Sequence, residues 1–322
     1  MKKWYIGGLL VLPLLLTSCA GKKETVSIVD YQVETTMKVA NAQYSYENLP
    51  NTKYAWWFKR NEEHTQPEAQ KEVDIAQYDA YYVAPEQEKK VVYLTFDCGY
   101  ENGFTGQMLD VLKKHKAKGV FFITKHFAKS AADLAKRMKE EGHYVGNHTA
   151  SHPDLTGLDN RSIKMELKEC EEAMKEYTGY EMDPLFRPPK GEYSERVLKL
   201  VQDMGYKTIF WSMAYLDYDV ENQPGKNYVV EHFKKYIHPG AVPLIHNVSE
   251  SNAQALDQVL TDLEAAGYTF GDPMKLGEPE DTMDEEKEAE ENVKETKKKK
   301  EGDVEKTKRK GGEKTIKKKK NR

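Results

Sequence analysis

From about residue 90 to residue 276, short apolar runs alternate with stretches of helical periodicity, and few folds accept that rhythm. Strand-like runs stand at residues 91–96, 119–124, 143–147, 184–187, 208–212 and 241–246. Helical stretches fill the gaps, at residues 106–115, 131–141, 161–177, 194–204, 229–236 and 253–266. Strands separated by helices pair in parallel, because each crossover returns the chain to the same end of the sheet. The expected class is therefore α/β, with a parallel sheet that is either open or closed. Gly142, Gly205 and Gly267 stand just past three of the helical stretches, where a left-handed residue ends a helix. No internal repeat is visible.

In such folds the chemistry collects at the carboxyl ends of the strands. The first run, Val91-Val92-Tyr93-Leu94-Thr95-Phe96, breaks into Asp97-Cys98-Gly99-Tyr100. Asp97 is either a catalytic carboxylate or the cap of the next helix. After the third run comes His148-Thr149-Ala150-Ser151-His152-Pro153. Two histidines four residues apart reach one metal ion if the turn is helical, which sets a metal pair against two structural histidines. Arg187-Pro188-Pro189-Lys190-Gly191 follows the fourth run, and its two prolines fix φ and hold Arg187 in one orientation. A guanidinium there would pair with Asp97 and keep it ionised; the alternative is a plain surface turn. Asp217, after the fifth run, is a candidate partner for Arg187 or for a histidine, and otherwise a loop aspartate. His246 closes the last run, a position suited to proton transfer.

The rest of the 322-residue chain speaks mainly of location. Lys2 and Lys3 precede an apolar stretch too short to span a bilayer, which ends in Leu16-Thr17-Ser18-Cys19. That ending resembles the lipobox of bacterial lipoproteins, and the alternative is an ordinary cleaved signal. With lipidation at Cys19, the protein is exported and sits on the outer face of the membrane without a transmembrane helix. Residues 20–51 read as a tether, and residues 52–89, with Trp56, Trp57 and Phe58, as a segment packed on the main domain or lining a sugar groove. Residues 277–322 turn acidic and then lysine-rich with almost no aromatic content, so they cannot build a core and are expected to be disordered. The basic end would suit anionic wall polymers or no partner at all, and nucleic acid is not expected. The net charge of −4 selects no class of partner by itself. Cys170 lies on the apolar stripe of the 161–177 helix and reads as core, so no disulfide is expected.

Taken together, Thr95-Phe96-Asp97-Cys98-Gly99, His148 to Pro153, Arg187 to Gly191, the remnant Ala214-Tyr215-Leu216-Asp217-Tyr218 and Leu244-Ile245-His246 resemble the motif set of the polysaccharide deacetylase family, the NodB-type carbohydrate esterases. Tyr100-Glu101-Asn102-Gly103, Trp57-Phe58-Lys59-Arg60 and Ala214 look most like the delta-lactam-biosynthetic de-N-acetylases of spore formers. The resemblance implies a distorted (β/α) barrel over residues 90–276. It also implies metal-dependent removal of acetyl groups from N-acetylmuramic acid in peptide-free peptidoglycan, a step toward muramic δ-lactam in spore cortex.

The same resemblance assigns roles. His148 and His152 hold a divalent metal, Asp97 is the base, Arg187 keeps Asp97 ionised, and His246 protonates the leaving amine. Asp217 supports the site from behind, and the Tyr100 backbone N–H faces the oxyanion. Position 98 departs from the family, which places Asp, or Asn in the delta-lactam group, where this chain has Cys98. A thiolate favours zinc over magnesium or calcium, so Cys98 is expected as a third ligand to zinc, with a side chain turned away as the alternative. Ala214 removes a second carboxylate. Two rival readings remain: an N-acetylglucosamine deacetylase of the vegetative wall, and a non-catalytic wall-binding lipoprotein.

Overall fold

A computed structural model describes residues 46–84 and 89–278. The export signal with Cys19, most of the tether and the charged tail lie outside the described residues. Among the described residues, no helix is long and apolar enough to cross a membrane.

Seven strands form the main sheet: β1 (Ala80–Tyr81), β2 (Leu94–Cys98), β3 (Gly119–Ile123), β4 (Tyr144–Asn147), β5 (Leu185–Phe186), β6 (Lys207–Ile209) and β7 (Leu244–His246). Their order is β7-β2-β3-β4-β5-β6-β1, and every neighbouring pair is parallel. Single bridges, Val83 to Ala241 and Met213 to Pro243, tie the two edges together. The sheet therefore curls toward closure, and the fold is the distorted (β/α) barrel expected. Helices α1 (Thr105–Lys114), α2 (Lys125–Ser130), α3 (Ala132–Glu140), α4 (Asn160–Thr178), α5 (Glu195–Asp203), α6 (Lys226–Tyr236) and α7 (Glu250–Ala265) accompany it.

The central strands are apolar because both of their faces are covered. All five residues of β3 are buried, and Phe121 stacks on Phe96 with ring centroids 4.6 Å apart. One core cluster joins Leu94, Phe96 and Cys98 of β2 to residues of α1 and α7. Helix ends follow sequence chemistry. Asp159 caps α4, Ser194 caps α5 and Ser249 caps α7, each accepting a bond from a backbone N–H three residues on.

Four features differ from the sequence reading. The run at 91–96 splits: Val91–Val92 pairs with Thr269–Phe270 in a separate two-stranded sheet, and β2 starts only at Leu94. Helix α2 was not expected, since it is six residues long and too short to show a period. The segment before residue 90 does more than pack on the domain, because it supplies β1 to the sheet. Tyr46, inside the stretch read as tether, is buried beside Leu155 and Phe186, and its hydroxyl donates to Asp203 at 2.7 Å.

Candidate active site

Asp97, on β2, and His246, on β7, are register partners on adjacent parallel strands. The next residue in that row is Phe122, and beyond it Gly146. A Cβ on Gly146 would lie 2.7 Å from the Phe122 ring and 2.8 Å from the Leu185 carbonyl, so only glycine lets the ring settle there. The Arg187 guanidinium lies over that ring, 4.5 Å from its centroid, and so reaches Asp97 across the row.

Arg187 is fully buried and every arm of its fork is used. Nε donates to the Ile209 carbonyl at 2.8 Å, Nη2 to the Phe210 carbonyl at 3.0 Å and Nη1 to Asp97 Oδ1 at 2.8 Å. Burial alone would push the Asp97 carboxyl up. The Arg187 guanidinium, helped by His148 and His246, outweighs burial and holds it below the usual carboxylate range. Asp97 is therefore ionised at neutral pH, with Oδ2 turned to His148 Nε2 at 3.6 Å.

His148 leaves β4 directly. Its Nδ1 stands 2.8 Å from the Arg187 carbonyl, which can only accept, so the proton sits on Nδ1 and Nε2 keeps its lone pair. Burial drives its imidazole down to about 4, against the pull of Asp97, so it is neutral. The His152 ring stands edge-on to it at 4.9 Å between centroids. The intervening loop is held in an uncommon shape. Thr149 and His152 both have positive φ, 68° and 60°. Asn147 Oδ1 accepts from the Thr149 N–H at 2.9 Å, and Thr149 Oγ1 from the His152 N–H at 3.0 Å. Glu166 accepts from the Ser151 N–H and hydroxyl. A β-branched residue in that region is costly, and such strain concentrates at functional sites.

Asp217 is fully buried, and His246 is the histidine it serves. His246 Nδ1 donates to Asp217 Oδ1 at 2.7 Å, and the His246 backbone N–H donates to Oδ2 at 2.8 Å. Asn252 Nδ2 donates to the same Oδ2 at 2.7 Å, and Tyr215 donates to Asn252 Oδ1 at 2.5 Å. Burial would lower the His246 pKa, but Asp217, and after it Asp97, raise it above the ordinary value. With Nδ1 committed to Asp217, Nε2 is the atom free to exchange a proton. Asn247 completes the floor, with its backbone N–H on the Asp97 carbonyl at 3.2 Å and its side chain on the Tyr100 carbonyl at 2.9 Å.

These groups line one cleft of about 770 Å³, with Tyr100, Lys190, Trp211 and Tyr218 around it. The cleft thus brings together Asp97, His148, His152, His246 and Tyr100, with Arg187 and Asp217 bonded to them from behind. Cys98 does not join. It is fully buried, belongs to the core cluster with Leu94 and Phe96, and is absent from the cleft lining. Strand alternation explains this, since Asp97 and Cys98 must face opposite ways. Burial also raises its thiol pKa well above normal, so it is not a thiolate. Cys98 and Cys170 are both free and buried.

Two neutral imidazoles beside an ionised carboxylate suit a divalent cation. Among the described residues, no group of three or more His, Cys, Asp or Glu stands ready as a complete metal cage. His148 and His152 are thus the fitting protein donors, and the expected thiolate ligand at Cys98 is corrected to a core residue. Asn252, Tyr215 and Asn247 were missed by sequence reading. Asn252 carried only an indirect signal, as the third residue after the cap Ser249.

The sequence matches the polysaccharide deacetylase family model over residues 84–209. It is 48% identical over 226 residues to a peptidoglycan-N-acetylmuramic acid deacetylase of Bacillus subtilis, spanning 70% of this chain and 86% of that protein. The chain belongs to the polysaccharide deacetylase family. It is an enzyme of that family, hydrolysing the amide of N-acetyl groups. The solved structure of the same B. subtilis protein, a family 4 carbohydrate esterase, superimposes with a TM-score of 0.68 at 47% identity, covering 71% of this chain and 98% of the other. A peptidoglycan-N-acetylglucosamine deacetylase of Bacillus cereus is 30% identical over 185 residues, 56% of this chain and 85% of the relative. The deacetylase motifs singled out in the sequence are the residues that meet in the cleft, Cys98 excepted.

Proposed function

We propose that this polysaccharide deacetylase removes the acetyl group from N-acetylmuramic acid in peptide-free peptidoglycan, a step toward the muramic δ-lactam of spore cortex. The likeness to the B. subtilis muramic acid deacetylase over most of both chains carries this reading of the substrate. His148 and His152 would hold a divalent cation, zinc by expectation, which would polarise the amide carbonyl and make a water more acidic.

The side chains do the remaining work. Asp97, held ionised by Arg187, takes the proton of the attacking water. The Tyr100 backbone N–H faces the oxygen that gains charge. His246, its Nδ1 fixed by Asp217, gives the Nε2 proton to the departing amine, which leaves poorly as an anion. The free amine can then condense with the lactyl carboxyl group, the C–N bond forming as a carboxyl oxygen departs as water, to close the lactam.

The proposal extends to location. Cys19 is lipidated, the protein is anchored on the outer face of the cell membrane, and the basic tail contacts anionic wall polymers. The likeness to the B. cereus enzyme supports a second reading, deacetylation of N-acetylglucosamine. Acetate release, followed by mass analysis of the sugars, separates the two. Activity on amidase-stripped glycan with free amine on muramic acid supports the first. Activity on intact glycan with free amine on glucosamine alone overturns it.

A further inference from the structure

Lys190 is the one lysine or arginine among the residues lining the cleft, and Asp97, the one acid there, is already paired with Arg187. The lysine is exposed at the rim, and no ion pair found among the described residues engages it. Its backbone is held in the left-handed region, φ 58° and ψ 7°. On one side stand Pro188 and Pro189. On the other, Gly191 also has positive φ, and a Cβ there would lie 2.6 Å from the Trp211 ring and 3.0 Å from Trp56. A non-glycine residue in that region is uncommon and costs stability, and here the packing of the loop on two tryptophans maintains it. The strained turn fixes where a flexible, solvated ammonium starts.

We propose that Lys190 determines specificity by receiving the free carboxylate of the lactyl group of muramic acid. The inference rests on the muramic reading above and sharpens it. In muramic acid the lactyl ether stands on the sugar carbon next to the one bearing the acetamido group. Placing the acetamido group at Asp97, His148 and His152 brings the lactyl carboxylate to the cleft rim. A point charge on a four-carbon stem suits an anion that can swing about an ether bond. A stem peptide converts that carboxylate into a neutral amide, and glucosamine lacks the lactyl group altogether. One lysine would thus select against both.

The test compares kcat/KM for acetate release from peptide-free glycan with that from the same glycan after methyl esterification of its carboxylates. Wild type should prefer the acid by about tenfold, the worth of one charge-assisted contact. Lys190→Ala should erase the preference, chiefly through KM on the acid. Lys190→Arg should keep it, and Lys190→Glu should favour the ester. A wild-type enzyme that treats acid and ester alike overturns the inference without any variant, as does an acid preference that survives Lys190→Ala. If wild type deacetylates glucosamine oligomers and neither muramic form, the substrate reading itself has failed, a different result from losing Lys190 alone.

Discussion

On one side of the cleft the His148 Nδ1–H donates a hydrogen bond to a backbone carbonyl; on the other the His246 Nδ1–H donates one to a buried carboxylate. Both rings leave the ends of strands in the same parallel sheet, and both keep Nε2 toward the cleft. The outcomes diverge. Burial takes His148 down to about 4, while Asp217 lifts His246 above the ordinary value against the same opposing effect of burial. A neutral carbonyl does little to stabilise an imidazolium and a carboxylate does much, so the first imidazole is left as a neutral donor and the second is left holding a proton, in keeping with the ligand and acid roles proposed for them. The same residue type thus serves two functions, and the group behind the ring decides which. Pushing neighbouring titratable groups apart in this way is how one site runs acid and base chemistry together.

The largest effect should come from removing the charge on the His148 side. Asp97→Asn keeps the shape and removes the base, so turnover should fall roughly 10³-fold or more. Acetate release with unchanged circular dichroism checks it, and a variant within tenfold of wild type would break the contrast. Arg187→Met leaves Asp97 buried with no cation. It should cost about 3–5 kcal/mol of stability at neutral pH, read by denaturant unfolding. The sign with pH follows from Asp97. In wild type the carboxyl is held low, so its contribution is present above the unfolded carboxyl's pKa and is lost as pH falls through the folded value. In the variant burial is no longer offset by Arg187, the largest of the groups opposing it, so the carboxyl rises and the deficit should shrink as the solution is acidified.

A smaller change belongs to the other side. Asp217→Asn keeps the shape, removes the charge that lifts His246 and turns one of two accepting oxygens into a donor. Turnover at neutral pH should drop by about 10–100-fold, the usual range for a group acting through its neighbour. The pH profile distinguishes this from simple damage. His246 must be protonated to act, so activity is present below its raised pKa and lost as pH rises through it. In the variant that alkaline limb should move to lower pH. A limb that stays in place would mean Asp217 only positions the ring.

Much of this was legible from spacing. The alternation of runs from residue 90 gave the parallel sheet, and the strand ends gave Asp97, His148, Arg187 and His246. Asp217 was legible as a carboxylate in need of a partner, but its choice of His246 over Arg187 was not, because it depends on which loop folds over which. Strand β1 was hidden because two residues cannot show a period. Tyr215 and Asn252 were hidden because a relay between a loop and a helix end leaves no mark in sequence order.

Cys98 is the sharpest case, because its identity suggested a ligand while the structure packs it into the core. Odd and even positions of a strand face opposite ways, and with Asp97 in the cleft, Cys98 falls with Leu94 and Phe96 against the helices. The two alternatives predict different losses. A buried core thiol cut back to Cys98→Ala should cost about 1–2 kcal/mol through a small cavity. Zinc affinity and acetate release should then stay close to wild type, and His148→Ala should lower zinc affinity sharply. Were Cys98 a ligand, the alanine variant would lose zinc affinity by an amount comparable to His148→Ala, with little change in the apo protein's unfolding midpoint. Zinc titration and apo unfolding on the same two variants therefore decide whether the thiol serves the core or the cleft.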